Sequence, residues 1–215
     1  MAATIGVIDY GMGNLHSLAK ALERVADHQR IEVSYDPEKL RKCDRLVLPG
    51  VGGARACMGE LHRLELDQMI VEAAREVPLL GVCLGMQVLL DFSEENGGVP
   101  ALGLIPGRVV RFPDPQSGAA ERLKVPHMGW NQVRWKRPHP VYAGVPDASW
   151  FYFVHSYYAA PKSPEHTLGE ANYGESFAAA VARNNIVGFQ FHPEKSHDAG
   201  MRLLANFAVW DGRAD

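Results

Sequence analysis

Two short stretches carry residue types that could act together on an acyl group. Gly81-Val82-Cys83-Leu84-Gly85-Met86-Gln87 sets a cysteine between two glycines, after the apolar run Pro78-Leu79-Leu80 and before Val88-Leu89-Leu90. The pattern predicts a strand, a very tight turn and a helix, with Cys83 on the turn. That is the layout of a nucleophile elbow with Cys in place of Ser. Gly81 and Gly85 tolerate unusual backbone angles and leave room for close strand–helix packing. A thiol at a helix start is favoured as thiolate by the helix dipole. Backbone N–H groups there can stabilise an oxyanion. The second stretch is His192-Pro193-Glu194-Lys195-Ser196, directly after Ile186-Val187-Gly188-Phe189-Gln190-Phe191. A thiol nucleophile needs a base, and the base needs an orienting partner. His192 and Glu194 can fill those roles if their strand and that of Cys83 share a sheet and end on the same side. The chain has nine histidines, so only position distinguishes them. His155 and His127 also stand beside strand-like runs and rival His192 as the base. Plainer readings stay open: a buried core cysteine, and His-Pro-Glu as a strand exit with Glu194 near a helix start.

The elements that must position these residues follow from periodicity. Thr4-Ile5-Gly6-Val7-Ile8 and Leu46-Val47-Leu48 are continuous apolar runs, as expected of strands covered on both faces. Leu15, Leu18, Ala19, Leu22, Val25 and Ala26 recur at helical spacing. Between the first strand and this helix lies Asp9-Tyr10-Gly11-Met12-Gly13-Asn14, at the strand end where open α/β sheets place ligands. It is no dinucleotide fingerprint, because the third glycine is missing. Asn14 either caps the helix or serves the site. Ile31–Tyr35 alternates like an edge strand. Pro49-Gly50-Val51-Gly52-Gly53 is a tight loop able to donate N–H groups to an anion, or simply a turn. Leu66, Met69, Ile70, Ala73 and Ala74 form another helical stripe. Strand and helix thus alternate up to the cysteine turn, which argues for a parallel sheet with helices on its faces. After Glu94-Glu95-Asn96-Gly97-Gly98 the character changes. Gly107–Phe112, Asn131–Trp135 and Trp150–Val154 read as strands punctuated by prolines, antiparallel or mixed, with Pro113–Ala120 as a mobile surface loop. Phe177–Ala182 and Ile186–Phe191 form a hairpin across Asn184-Asn185. Ser196 is placed to cap a last helix with the stripe Leu203, Leu204 and Phe207. The expected fold class is α/β: an open, mostly parallel sheet with helices on both faces and an antiparallel or mixed β extension, as a single domain spanning 1–215.

Composition narrows the function classes. Apolar residues make up 47% and charged residues 22%, which fits a globular protein with a full core. The net charge of -3 gives no reason to expect nucleic acid or an anionic membrane as partner. No apolar run reaches the ~20 residues of a spanning helix, and no signal peptide is visible. Three cysteines, Cys43, Cys57 and Cys83, without metal-type spacing suit a reducing, cytoplasmic setting and argue against disulfides and a metal site. Cys43 and Cys57 read as packing or surface residues.

The cysteine turn together with His192-Pro193-Glu194 resembles the class I, triad-type glutamine amidotransferases. Asp9–Leu15, Pro49–Gly52, Pro126-His127-Met128-Gly129-Trp130-Asn131, Phe153-Val154-His155-Ser156-Tyr157 and Phe191–Ser196 are similar to one branch, the glutaminase subunits of imidazole glycerol phosphate synthases. The resemblance covers Ile5 to Phe207. It implies a flavodoxin-like sheet and a glutaminase with Cys83 as nucleophile, His192 as base and Glu194 as its orienter. It implies an oxyanion hole from the Leu84 amide and from Val51 or Gly52, with Gln87, Ser156 and Tyr157 holding glutamine. It implies no cofactor. It also implies a heterodimer with a cyclase of (β/α)8-barrel type, which uses the ammonia to make imidazole glycerol phosphate and AICAR in histidine biosynthesis. The partner face would carry Tyr10, Met12, Asn14, Trp130, Asn131 and Lys195, and glycines in Pro49–Gly53 would let a peptide flip gate the oxyanion hole. One departure is Gly53-Ala54-Arg55 after Gly52, where the family usually has an aromatic residue. Two other readings compete. A glutaminase or cysteine hydrolase for another acceptor would have no use for the Tyr10–Asn14 and His127–Asn131 motifs. A non-catalytic amidotransferase-like regulatory protein would usually lack a triad member.

Overall fold

The computed structural model describes residues 2–113 and 123–214. All of the expected mobile stretch Pro113–Ala120 except Pro113 lies outside them. Five strands form the parallel half of the sheet: β1 (Thr4–Ile8), β2 (Arg30–Ser34), β3 (Arg45–Leu48), β4 (Leu79–Val82) and, from the far end of the chain, β13 (Ile186–Phe189). Their order is β2-β1-β3-β4-β13, and every neighbouring pair is parallel. The apolar runs alternate between two cores. Ile5, Val7, Val47, Leu80, Val82, Val187 and Phe189 face one; Ile8, Leu46, Leu48, Leu79 and Ile186 face the other. A strand buried on both faces needs an unbroken apolar sequence. β2, at the edge, leaves Val33 exposed.

Helices cover both faces. On the first core lie α1 (Leu15–Val25) and α6 (His197–Val209), burying Leu18 and Leu22 against Leu203, Leu204 and Phe207. On the second lie the short α2 (Pro37–Leu40), α3 (Ala54–Arg63) and α4 (Leu66–Ala73), with Leu61, Leu66, Met69 and Ile70 inside. Each such side chain contributes about 1.5–3 kcal/mol of burial. One turn of helix, α5 (Leu84–Gln87), follows β4 directly.

Beyond β13 the sheet becomes antiparallel and mixed. It continues through β12 (Glu175–Arg183), β10 (Tyr157–Pro161), β7 (Gly107–Arg111), β5 (Phe92–Ser93) and β6 (Val99–Pro100). From β12 a branch runs through β11 (Thr167–Tyr173) to β8 (His127–Trp135), which pairs with β9 (Ser149–His155). β8 starts at His127, four residues before the strand expected at Asn131. No helix among the described residues is long and apolar enough to cross a membrane.

Candidate active site

β4 and β13 are adjacent and parallel, with Val82 opposite Phe189. Cys83 and His192 therefore leave neighbouring strands at the same sheet edge. Cys83 sits at φ +54°, ψ -112°, a conformation unusual for a residue with a side chain, and its N–H donates to Phe189 O at 2.7 Å. The elbow closes because Gly85 lies against the end of β3: a Cβ there would fall 1.9 Å from Leu48 O. The loop after β3 is equally tight, since a Cβ on Gly50 would stand 2.6 Å from Gly85 N.

His192 and Glu194 are almost wholly buried, and His192 Nδ1 lies 2.9 Å from Glu194 Oε1. The same oxygen accepts from Asn14 Nδ2 at 3.2 Å. A carboxylate only accepts, so His192 carries its proton on Nδ1. His192 Nε2 has no hydrogen-bond partner among the described residues. Cys83 Sγ lies 3.9 Å from Gln190 Nε2 and 4.0 Å from Val154 O. Gln87 donates to Tyr157 O at 2.8 Å and to Gln190 Oε1 at 3.0 Å. Val51, Gly52, Cys83, Leu84, Gln87, Ser156, Tyr157 and His192 all line one cavity of about 310 Å³, together with Glu95, Val154 and His155. That volume is at the small end for ligand pockets. Glu194 stands behind His192.

The Glutamine amidotransferase class-I family model matches residues 6–210. The chain belongs to this family. Imidazole glycerol phosphate synthase subunit HisH of Methylococcus capsulatus is 56% identical over 97% of both chains. The protein of the same name from Nitrosococcus oceani is 52% identical, covering 98% of this chain and 99% of the other. Among solved structures, a glutamine amidotransferase superposes at TM-score 0.71 with 17% identity, over 96% of this chain and 99% of that one. A putative GMP synthase component from Thermoplasma acidophilum superposes at 0.69 with 19% identity, over 97% and 93%.

For this amidotransferase, the rival bases are occupied. His155 Nδ1 donates to Tyr157 O at 2.9 Å, which leaves His155 Nε2 to accept from His127 Nδ1 at 2.9 Å. His127 Nε2 then accepts from Asn131 Nδ2 at 3.4 Å. Neither ring has a nitrogen left for a thiol.

Of the expected partner face, one residue needs correction. Tyr10 is 1% exposed, with its hydroxyl on Pro49 O, so it offers no surface. Asn14 is half-buried with its amide turned to Glu194, and Asn131 donates to Asn172 O at 2.8 Å. Met12 is half-buried and Lys195 exposed. Trp130 is 42% exposed and stacks on His197. Beside it on the β8–β9 ribbon, Met128 is 62% and Trp150 54% exposed. Ser196 makes no capping bond. Its hydroxyl donates to His192 O at 2.6 Å and accepts from Tyr152 N at 3.0 Å, bracing the His192 backbone.

Sequence reasoning missed Gln190 and Glu95. Gln190 is fully buried between Phe189 and Phe191, and a polar residue inside such an apolar run was a signal. Glu95, whose carboxylate accepts from Ala54 N at 2.6 Å, resembled any acidic loop residue.

The buried histidines make stability depend on pH. Burial lowers His127 and His139 to about 4 and His155 to about 3. Burial also opposes charge on His192, but the neighbouring Cys83 thiol and the Glu194 carboxylate outweigh it and raise it to about 9. The three lowered groups hold fewer protons folded than unfolded, where a histidine titrates near 6.5. Their contribution is present above about 6.5 and lost as pH falls toward 4. His192 is the opposite: its contribution is full below about 6.5 and lost as pH rises through 9. Urea melts from pH 4 to 9 should therefore peak near pH 6.5. The acid limb should be the steeper, at up to about 1.4 kcal/mol per pH unit for each histidine. A flat acid limb would contradict neutral buried histidines.

Proposed function

We propose that residues 1–215 act as one glutaminase unit that hydrolyses glutamine to glutamate and ammonia through a Cys83 thioester, and that the ammonia passes to a cyclase subunit. In this reading Cys83 Sγ attacks the side-chain carboxamide. His192 Nε2 takes the thiol proton and gives it to the departing ammonia, and Glu194 holds the imidazolium. Water then hydrolyses the thioester with His192 as base. The Leu84 amide and an amide at Val51 or Gly52 stabilise the oxyanion. Gln87 and the Ser156–Tyr157 backbone hold the substrate, and the Glu95 carboxylate matches its α-ammonium group. The observation that carries the reading is the elbow cysteine beside the buried His192–Glu194 pair, in one cavity with the Gly50–Gly52 loop. The 56% identity to a protein named for imidazole glycerol phosphate synthase supports this acceptor.

The partner we assign is a (β/α)8-barrel cyclase that forms imidazole glycerol phosphate and AICAR in histidine biosynthesis, in the cytoplasm. It would meet the exposed apolar face at Met128, Trp130 and Trp150, flanked by Met12 and Lys195. Hydrolysis should be gated by it, because the second oxyanion donor sits on a separate loop. Glutamine turnover is measured for the chain alone and mixed with the cyclase and its nucleotide substrate. The mixture is expected to be faster by about 100-fold or more, the worth of one oxyanion donor. Equal rates would remove the gating idea, and no turnover in the mixture would remove the glutaminase reading.

A further inference from the structure

Tyr10 is the largest side chain of the loop after β1, and it points inward. Its hydroxyl donates to Pro49 O at 3.0 Å. Among the described residues this is the one side-chain hydrogen bond to the backbone of residues 49–53. The Pro49 carbonyl and the Gly50 N–H share a rigid peptide plane, so holding the oxygen fixes the direction of the N–H and the start of the next rotation. Gly50 is wedged against Leu84 and Gly85 of the elbow, and Gly52, at φ +93°, lines the cavity. Cys57, one turn into the helix that follows the loop, interacts with the same hydroxyl. One phenol therefore holds the first residue of the loop by a hydrogen bond and interacts with the helix that follows it.

We propose that Tyr10 is a positioning residue for glutamine hydrolysis: its hydroxyl holds the Pro49–Gly53 loop so that an oxyanion donor stands opposite Cys83. This rests on the reading of that loop as the oxyanion loop. Burial raises the hydroxyl's pKa, so it stays a proton donor throughout the working range. Tyr10 does not line the cavity, and among the described residues its hydroxyl makes no hydrogen bond to Cys83, His192 or Glu194. Its loss should leave glutamine binding and the nucleophile intact while the developing oxyanion loses part of its support.

The test is Tyr10→Phe in the full chain, assayed in complex with the cyclase. Expected is a fall in kcat of about tenfold with KM within about twofold, the size of effect a slightly displaced donor gives. Alkylation of Cys83 by iodoacetamide, followed by peptide mapping, should keep its wild-type rate, because that displacement forms no oxyanion. An unchanged kcat would overturn the proposal. So would a parallel fall in alkylation, which would mean a general disturbance of the elbow. Should Tyr10→Phe not accumulate as folded protein, Tyr10→Met fills the space without a donor and is read by the same split. A wild-type complex with no glutamine turnover would instead refute the underlying glutaminase reading.

Discussion

Cys83→Ala is expected to abolish glutamine-dependent synthesis by the complex, by on the order of 10⁴-fold or more, while ammonia-dependent synthesis continues within about twofold. The asymmetry follows from where Cys83 sits. Its sulfur makes only distant contacts, at 3.9 Å to Gln190 Nε2 and 4.0 Å to Val154 O, so removing it forfeits little more than one long, weak hydrogen bond. Its backbone is at φ +54°, and alanine has the same Cβ, so the strain of the turn is carried over unchanged. The elbow, the cavity and the exposed β8–β9 face should all persist. The barrier lost is that of thioester formation, since the variant leaves only a methyl group where the elbow carried its sulfur. The check is synthesis at saturating ammonium beside synthesis at saturating glutamine, with a melting curve to confirm the fold. Glutamine-dependent synthesis at the wild-type rate would mean that Cys83 is not the nucleophile. Loss of both activities would mean that the substitution had disturbed the partner face.

The parallel half of the fold was legible because its physics is local. A strand covered on both faces must be apolar at consecutive positions, and Ile5–Ile8, Leu46–Leu48 and Leu79–Leu80 are. The neighbourhood of Cys83 and His192 was legible for the same reason, because each follows such a run, and adjacent parallel strands bring their ends together. What the sequence hid depends on partners far along the chain. Tyr10, in a glycine-rich loop, looked like an interface anchor until Pro49, 39 residues on, supplied a buried acceptor. Ser196 and Asn14 stand where caps stand, but tertiary acceptors at His192 and Glu194 hold them instead. The start of β8 was missed because His127, Gly129 and Asn131 break the apolar alternation. They do so because His127 is paired opposite His155 and Gly129 opposite Phe153 in a register only the folded ribbon reveals.

Gly85→Ala is the second large effect expected. The added methyl would stand 1.9 Å from Leu48 O and 2.8 Å from Leu48 C, atoms of the β3 backbone that cannot turn aside as a side chain could. Either α5 lifts or the end of β3 is pushed away. Overpacking of this kind costs about 3 kcal/mol or more, which for a chain of this length lowers Tm by about 6–12 °C. Catalysis should suffer more than stability. Gly50 already approaches Gly85 N so closely that its own Cβ would fall 2.6 Å away. Separating the elbow from that loop therefore moves the Leu84 amide and the Val51–Gly52 peptides apart, at a cost of about 100-fold or more in glutamine turnover. Gly59→Ala is the control. It lies inside α3 with nothing within 4 Å of the new Cβ, so it should leave turnover unchanged and raise stability by up to about 1 kcal/mol. Wild-type Tm and turnover in Gly85→Ala would show that the elbow can relax. The close seating of α5 on β3 would then not be what aligns nucleophile and oxyanion loop.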